Sequence, residues 1–578
     1  MMYEMRALIT FFAAFCRVSL SEDFGGSAFD RYDERLLFKP LPDGQVYAHF
    51  EFSTVFDEHI NDVFWVDHFN LFPLAIGKFL ANAKVQEMHF SLAKGFWKNS
   101  AWGYNARDAP NGAELTVYFQ SFQDNPQKAW RDVTSVLSGH FCASLNFIDK
   151  AATVQPVYSF KPEGVLQNGS MRNDLLFYAA LPHEALCTEN LTPWKKLLPC
   201  FDKAGLASLL NARHIFNSHF VSLALDLKPI CVNSDCYRTS ISITQTISLI
   251  FNPPVVFDGK KSWSFIKFFG TPIKEVCQLA SESTVLIDIT QNDTSNPLTF
   301  TTPPSGLVVK KFGEKERKFA TFDLKSIISE YKQQNMSKFN IVSLYKKNHV
   351  YASTTNPPPV FASRYITGYG VSQGGITCDI YNKLDKSVQI VYFDIIPWYL
   401  RIYVHTLKIT VANKEIKPDT FYYKPAKDRS QPHHIEMLLT LLPNSVTTIH
   451  FDFDRQYLKW TEYPPDANHG VYVNSAVISL KLPTAQNMTV FSETSSSDFF
   501  LRIHTQSLLV SLATPDFSMP YNVICLVSTV VSLAFGPIHN LTTRKPQIPK
   551  SDEESKKQSL LNRIKNFFQN KKSHEKSD

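Results

Sequence analysis

A chain of 578 residues is too long for one ordinary hydrophobic core and implies two or three packed units. An apolar fraction of 44% supports globular cores, and 46 Phe with abundant Val, Ile, Thr and Tyr favour strands over helical bundles. The net charge of +6 is small for this length and gathers near the C-terminus, which excludes the basic footprint of a nucleic-acid-binding protein.

At the start, "MRALITFFAAFCRVSL" places one basic residue, Arg6, before a short apolar run, and polar "SEDFGGS" follows. The run is too short to span a bilayer, so residues 1–21 are expected to be a secretory signal peptide. Residues 22–340 mix strands with a few helices and are expected to form a luminal N-terminal domain. In "QVYAHFEF", Val46, Ala48, Phe50 and Phe52 alternate with polar positions, the period of a strand. "FPLAIGKFLANAKV" puts Phe72, Ala75, Ile76, Phe79, Leu80 and Ala83 on one helical stripe. Strand patterns return in "EMHFSL" and "AELTVYF", and "KAWRDVTSVLSGHF" predicts a helix burying Trp130, Val133, Leu137 and Phe141. Long alternation in "SHFVSLALDL" and "SISITQTISLIF" predicts sheet with one face in water.

Between about 295 and 360, "TTPPSG", "KKFGEKERK" and "TTNPPPV" supply the Pro, Gly and charge of a boundary. Residues 341–518 then show short, regularly spaced strands, expected as a luminal β-sandwich-like domain. "MPYNVICLVSTVVSLAFGPIHNL", residues 519–541, has no acidic or basic residue and is long enough to cross a membrane. Arg544 and Lys545 follow, and the basic tail 542–578 is placed in the cytosol by the positive-inside rule. The fold class expected is therefore mainly β with some α: luminal β-sandwich-type domains and one C-terminal transmembrane helix.

Six N-x-S/T triplets occur, at Asn168, Asn190, Asn292, Asn335, Asn487 and Asn540. On a chain with a signal peptide they support surface glycosylation, though Pro193 disfavours Asn190 and Asn540 lies at the cytosolic end of the span. Of nine cysteines, Cys16 belongs to the signal peptide and Cys525 to the span, which leaves Cys142, Cys187, Cys200, Cys231, Cys236, Cys277 and Cys378 in the lumen. An odd number in an oxidising compartment means a free thiol or a bond to another chain. "CVNSDC" is expected to close as a Cys231–Cys236 disulfide rather than a zinc site, because no second Cys or His pair has matching spacing. Cys142, in "HFCASLNF", is expected to pack as a small buried hydrophobe. Cys187 follows His183 at helical spacing, so it is either a thiol nucleophile with a local base or an inert or bonded sulfur.

No G-x-S-x-G elbow, P-loop or H-E-x-x-H occurs. "GYGVSQGG" reads as a hairpin turn, and adjacent His433 and His434 with Glu436 diverge on a strand, against a metal site. No catalytic, cofactor or metal constellation is visible.

"FWKNSAWG", "VLSGHFCASLNFID", "CTENLTPWKKLLPC", "IPWYLRIYVHTL", "YLKWTEYPPDANHGVYV" and "TPDFSMPYNVICL" closely resemble the PIG-T family of GPI transamidase subunits, over about residues 35–541. The resemblance implies a non-catalytic scaffold in the endoplasmic reticulum membrane, with no cofactor. In that family the thiol nucleophile belongs to a separate, cysteine-protease-like PIG-K subunit, joined by an intermolecular disulfide whose matching position is Cys187. It implies further partners of the PIG-S, PIG-U and GPAA types, with GPI lipid and precursor proteins met through the complex. Glycosylation is implied at Asn168, Asn292 and Asn335, and Cys200 is implied to bond within the chain. Cys378 departs from the family pattern. The alternative is a self-contained luminal thiol hydrolase or transamidase using Cys187.

Overall fold

The computed structural model describes residues 30–56, 71, 73–165, 171–231, 239–256, 262–290, 298–312, 315–333, 338–345, 357–368, 370, 372–464, 466–482, 499–544 and 562–566. The expected signal peptide lies outside the described residues. One compact unit comprises Met1–Leu458 and Tyr463–Ala513, and a second comprises Lys459–Glu462 and Thr514–Asp578.

The first unit is built on a central sheet of 11 strands. Their order is Gly306–Phe312, Lys315–Asp323, Glu282–Asp288, Arg31–Pro40, Val46–Phe56, Thr239–Phe251, Phe220–Cys231, Val85–Lys94, Gly112–Phe119, Leu176–Leu181 and Thr153–Val154. Neighbours run antiparallel except Arg31–Pro40 beside Glu282–Asp288. The period of two puts Phe50, Phe90, Leu223 and Leu249 on one buried face. Helices cover that face. Leu74–Asn82 contributes Ile76 and Leu80; Pro126–Phe141 contributes Trp130, Val133, Leu137 and Phe141, as the sequence predicts.

The opposite face is polar, but it is not wet. His49, Glu114, Ser222, Thr246 and Ser248 on it are all buried. This corrects the expectation of a solvated face: alternation reports which side is polar, not whether something covers it.

Around Tyr47 and Ser248 the segment 95–111 covers the polar face, through Asn105 and Trp97, and over Glu114 and Tyr178 a β-sandwich does. Its outer sheet holds Val360–Thr367, Gln373–Asn382, Ser445–Arg455, Lys408–Val411 and Lys414–Ile416, with Leu400–Ile402 beside Ser445–Arg455. Its inner sheet holds Thr420–Lys424, His433–Leu441, Val388–Ile396, Val477–Leu482 and Phe499–His504. Ile376, Ile380, Tyr392, Met437, Ile449 and Phe453 fill the space between the two. Arg364 and Asp394 are buried there as a pair, 2.8 Å apart, with the Tyr392 hydroxyl also donating to Asp394 at 2.9 Å. "GYGVSQGG" lies where Val360–Thr367 turns antiparallel into Gln373–Asn382, and Gly368 and Gly370 take φ of 79° and 107° there.

Alternate residues of the inner sheet point at the central sheet. Phe393 packs edge-on to Tyr178 and Phe160. Glu436 accepts the backbone N–H groups of Val157, Tyr158 and Ser159 at 2.6, 2.7 and 2.8 Å. Its other partner is His434 at 2.7 Å, while His433, on the opposite face, meets the Tyr423 hydroxyl at 2.9 Å.

The second unit contains a helix, Ser518–Thr543, whose 26 residues rise about 39 Å, enough to span a bilayer. It spans the segment expected at 519–541, and its apolar side chains are exposed.

Candidate functional site

The segment around Cys187 follows strand Leu176–Leu181 and leads into helix Thr188–Lys195. Cys187 occupies the position before the first helical residue, with extended backbone angles, and is exposed. Its backbone N–H donates to Asn190 Oδ1 at 2.7 Å, satisfying one donor at the helix start. Asn190 Nδ2 donates in turn to the carbonyls of Phe141 and Cys142 at 2.8 and 3.2 Å. The side chain that ends one helix therefore begins another.

The rest of the short helix is sunk into the core. Leu191 and Trp194 are each 1% exposed, and Trp194 stands edge-on to Phe52. Trp194 Nε1 donates to the Ala224 carbonyl at 3.0 Å, and Gln245 Nε2 donates to the Trp194 carbonyl at 3.0 Å. Both ties reach the central sheet directly. Beyond the helix, Cys200 is bonded to Cys277, as the resemblance implies for an intrachain Cys200. The bridge closes a separation of 77 residues, and the loop-entropy account puts its stabilisation at roughly 4–5 kcal/mol. An exposed sulfur thus sits at the free end of a helix held by a buried indole and a covalent bridge.

His183 lies in the turn before the helix rather than one helical turn from Cys187, and its ring stacks on Tyr472 with centroids 5.3 Å apart. Cys142 is exposed, which corrects the expectation of a buried thiol. Phe141 takes the last inward position of its helix, and the chain then turns through a left-handed residue, φ 53°, at Cys142. That reversal swings the side chain outward. Cys378 is buried and unbonded, its thiol pushed up to about 12 by burial. Cys231 is disulfide-bonded, and its expected partner Cys236 lies outside the described residues. Asn168, Asn292 and Asn335 also lie outside them. Asn190 is 1% exposed with both ends of its amide engaged, which leaves no room for a glycan.

Sequence reasoning missed a line of ion pairs along the polar face of the central sheet, two of which reach the inner sheet. His504 Nε2 meets Glu114 Oε1 at 3.0 Å, and its Nδ1 meets Asp108 Oδ2 at 3.1 Å. Arg502 Nη1 lies 2.9 Å from Glu163. His89 is held between Glu87, at 2.7 Å, and Asp226, at 2.8 Å, and Arg107 also bonds Asp226. Apart from Glu87 and His89, two positions apart on one strand, nothing local in the sequence marks these pairs, because their members are far apart in the chain.

The sequence matches the family described as "Gpi16 subunit, GPI transamidase component" over residues 11–257 and 253–569. It is 41% identical over 553 residues to "GPI-anchor transamidase component PIGT" of Mus musculus, covering 93% of each chain. The protein of that name from Homo sapiens is 40% identical, with 93% of this chain and 94% of that one covered. "GPI transamidase component GPI16" of Saccharomyces cerevisiae is 31% identical, with 89% and 88% covered. With matches of that extent from mammals to yeast, the chain belongs to the Gpi16 family of GPI transamidase components.

Proposed function

We propose that this chain is the non-catalytic scaffold subunit of GPI transamidase and that Cys187 forms a disulfide with a PIG-K-like catalytic subunit, so that GPI anchors are attached to the C-termini of precursor proteins. Membership of the family supports a place in the transamidase complex of the endoplasmic reticulum. The observation that carries the finer reading is the exposed Cys187 at the start of a helix fixed by Trp194 and the Cys200–Cys277 bridge.

A covalent link made there turns association into an intramolecular contact, so weak surfaces elsewhere stay engaged at high effective concentration. Fixing the sulfur in advance lowers the ordering cost of that link. In this reading residues 22–340 and 341–518 are luminal, residues 519–541 span the membrane, and the basic tail 542–578 is cytosolic. The chain would carry glycans at Asn168, Asn292 and Asn335 and a Cys231–Cys236 loop, and would meet PIG-S, PIG-U and GPAA-type subunits beside the catalytic one.

Replacing Cys187 with Ser tests the proposal. A heavier, reducible species on non-reducing gels of native membranes should vanish while some complex still co-purifies in mild detergent. An unchanged heavier band would contradict it.

A further inference from the structure

Among the described residues of the first unit, two free sulfurs are exposed, Cys142 and Cys187, and both lie on one joint. Helix Pro126–Phe141 ends at Cys142, helix Thr188–Lys195 begins at Cys187, and the two helices pack against each other. Asn190 stands between them. Its Oδ1 accepts from the Cys187 N–H at 2.7 Å, and its Nδ2 donates to the Cys142 carbonyl at 3.2 Å. One carboxamide and two hydrogen bonds therefore separate the two backbones, which keeps the Cys187 nitrogen within about 8 Å of the Cys142 oxygen.

A disulfide needs its Cα atoms about 4.4–6.8 Å apart, so closure asks the joint to adjust. The piece free to do so is Cys142. Trp194 and the Cys200–Cys277 bridge hold the Cys187 helix, whereas Cys142 is a single left-handed residue, φ 53°, between Phe141 and the short turn Ser144–Phe147. That region is disfavoured for a residue with a Cβ, which eases its departure, and any change there redirects the side chain. Asn190 Nδ2 keeps its shorter bond, 2.8 Å to the Phe141 carbonyl, when the Cys142 carbonyl moves away.

We propose that Cys142 is the resolving thiol of Cys187, a role that rests on the bond proposed above between Cys187 and a catalytic subunit. The Cys142 thiolate attacks Cys187 Sγ in the intersubunit disulfide. The Cys142–Cys187 bond forms, the bond to the partner breaks, and the partner's sulfur leaves as a thiolate that takes up the proton Cys142 gave up. One disulfide and one thiol enter and one of each remains, so no oxidant or reductant is consumed. In the reverse direction a partner thiolate opens the Cys142–Cys187 bond and joins Cys187. The unassembled subunit thereby holds its sulfur in a form that only another thiol can claim, and the nearness of Cys142 makes its attack effectively unimolecular.

The test treats the full chain, carrying Cys525→Ala, in mild detergent with an equimolar amount of an aromatic disulfide, dithiobis-nitrobenzoate, whose released thiolate is coloured. Reaction at Cys187 frees half of the reagent and leaves half bound. Attack by Cys142 then frees the rest, so about two thiolates leave per chain and the tryptic peptides 132–150 and 173–195 become joined. Cys142→Ser should release about one and keep the other bound. Cys142→Gly, which suits a φ of 53°, should repeat that result if Ser unsettles the joint. In native membranes the reducible heavier species should persist in Cys142→Ser. Release of about one thiolate by the parent chain, of about two by the variants, or the absence of the joined peptide overturns the resolving role alone. Absence of the heavier species from parent membranes overturns the reading at Cys187, and this role with it.

Discussion

His504 and Glu114 stand 390 residues apart in the sequence and 3.0 Å apart in the fold, one on the inner sheet of the sandwich and one on the central sheet. Burial works against charge on His504, but Glu114 and Asp108 outweigh it and raise the imidazole to about 9. Burial likewise opposes charge on Glu114, yet His504 and Arg107 hold it down at about 2. The pair joins the two layers as ions.

A pH profile follows from the signs. The raised His504 stabilises fully below its ordinary value of 6.5, and that contribution is lost as pH rises through 9. The lowered Glu114 stabilises above its ordinary value of 4.5, and that contribution is lost as pH falls through 2. Urea midpoints of the full chain in detergent should therefore peak between pH 4.5 and 6.5 as far as this pair is concerned. His504→Gln leaves Glu114 buried without its hydrogen-bonded cation and should lower stability by about 3 kcal/mol near pH 6, with a shallower decline on the alkaline side. An alkaline limb as steep as in the unaltered chain would count against the assignment.

Glu436 predicts a second effect at the same seam. Three backbone N–H groups and His434 hold its carboxylate below the usual range despite burial. Glu436→Gln keeps the shape but loses charge-assisted bonds, and should cost about 2 kcal/mol. Hydrogen exchange should speed up at Val157–Ser159 before anywhere on the far edge of the outer sheet. Uniform exchange across both regions would show that no local clamp exists.

The triplet at Asn190 should carry no glycan. Thr192→Ala removes the sequon and leaves the buried Asn190 in place, and Thr192 itself is exposed. Electrophoretic mobility before and after deglycosylation should match that of the unaltered chain, and loss of one glycan's worth of mass would refute the burial argument.

Cys277→Ser should remove roughly 4–5 kcal/mol of loop-entropy stabilisation and free the far end of the Cys187 segment. Limited proteolysis should then cut between Lys195 and Leu210 while the β-sandwich stays intact. Resistance equal to that of the parent chain would mean that packing of Trp194 suffices by itself.

How much of this could be read from residues alone depended on range. The helix carrying Trp130, Val133, Leu137 and Phe141 was legible because its periodicity is local, and so were the strands of the central sheet. The polar face around Ser248 and Glu114 was legible as polar and misread as wet, since only distant segments, Asn105 over the first and His504 over the second, decide the matter. Cys142 was misplaced for a smaller reason: one left-handed residue at a helix end reverses the direction of a side chain, and periodicity does not foresee it. Cys187 owed its significance to family resemblance, whereas Asn105, Asp108 and His504 gave no local signal.

Cys187 is open to solvent, whereas Cys277 is fully enclosed and its bonded partner Cys200 is half-buried. Small reductants would therefore reach a disulfide made at the first before they reach the Cys200–Cys277 bridge. A subunit joined to its neighbour in the proposed way would be let go by a mild dose of thiol and keep its own fold through the separation.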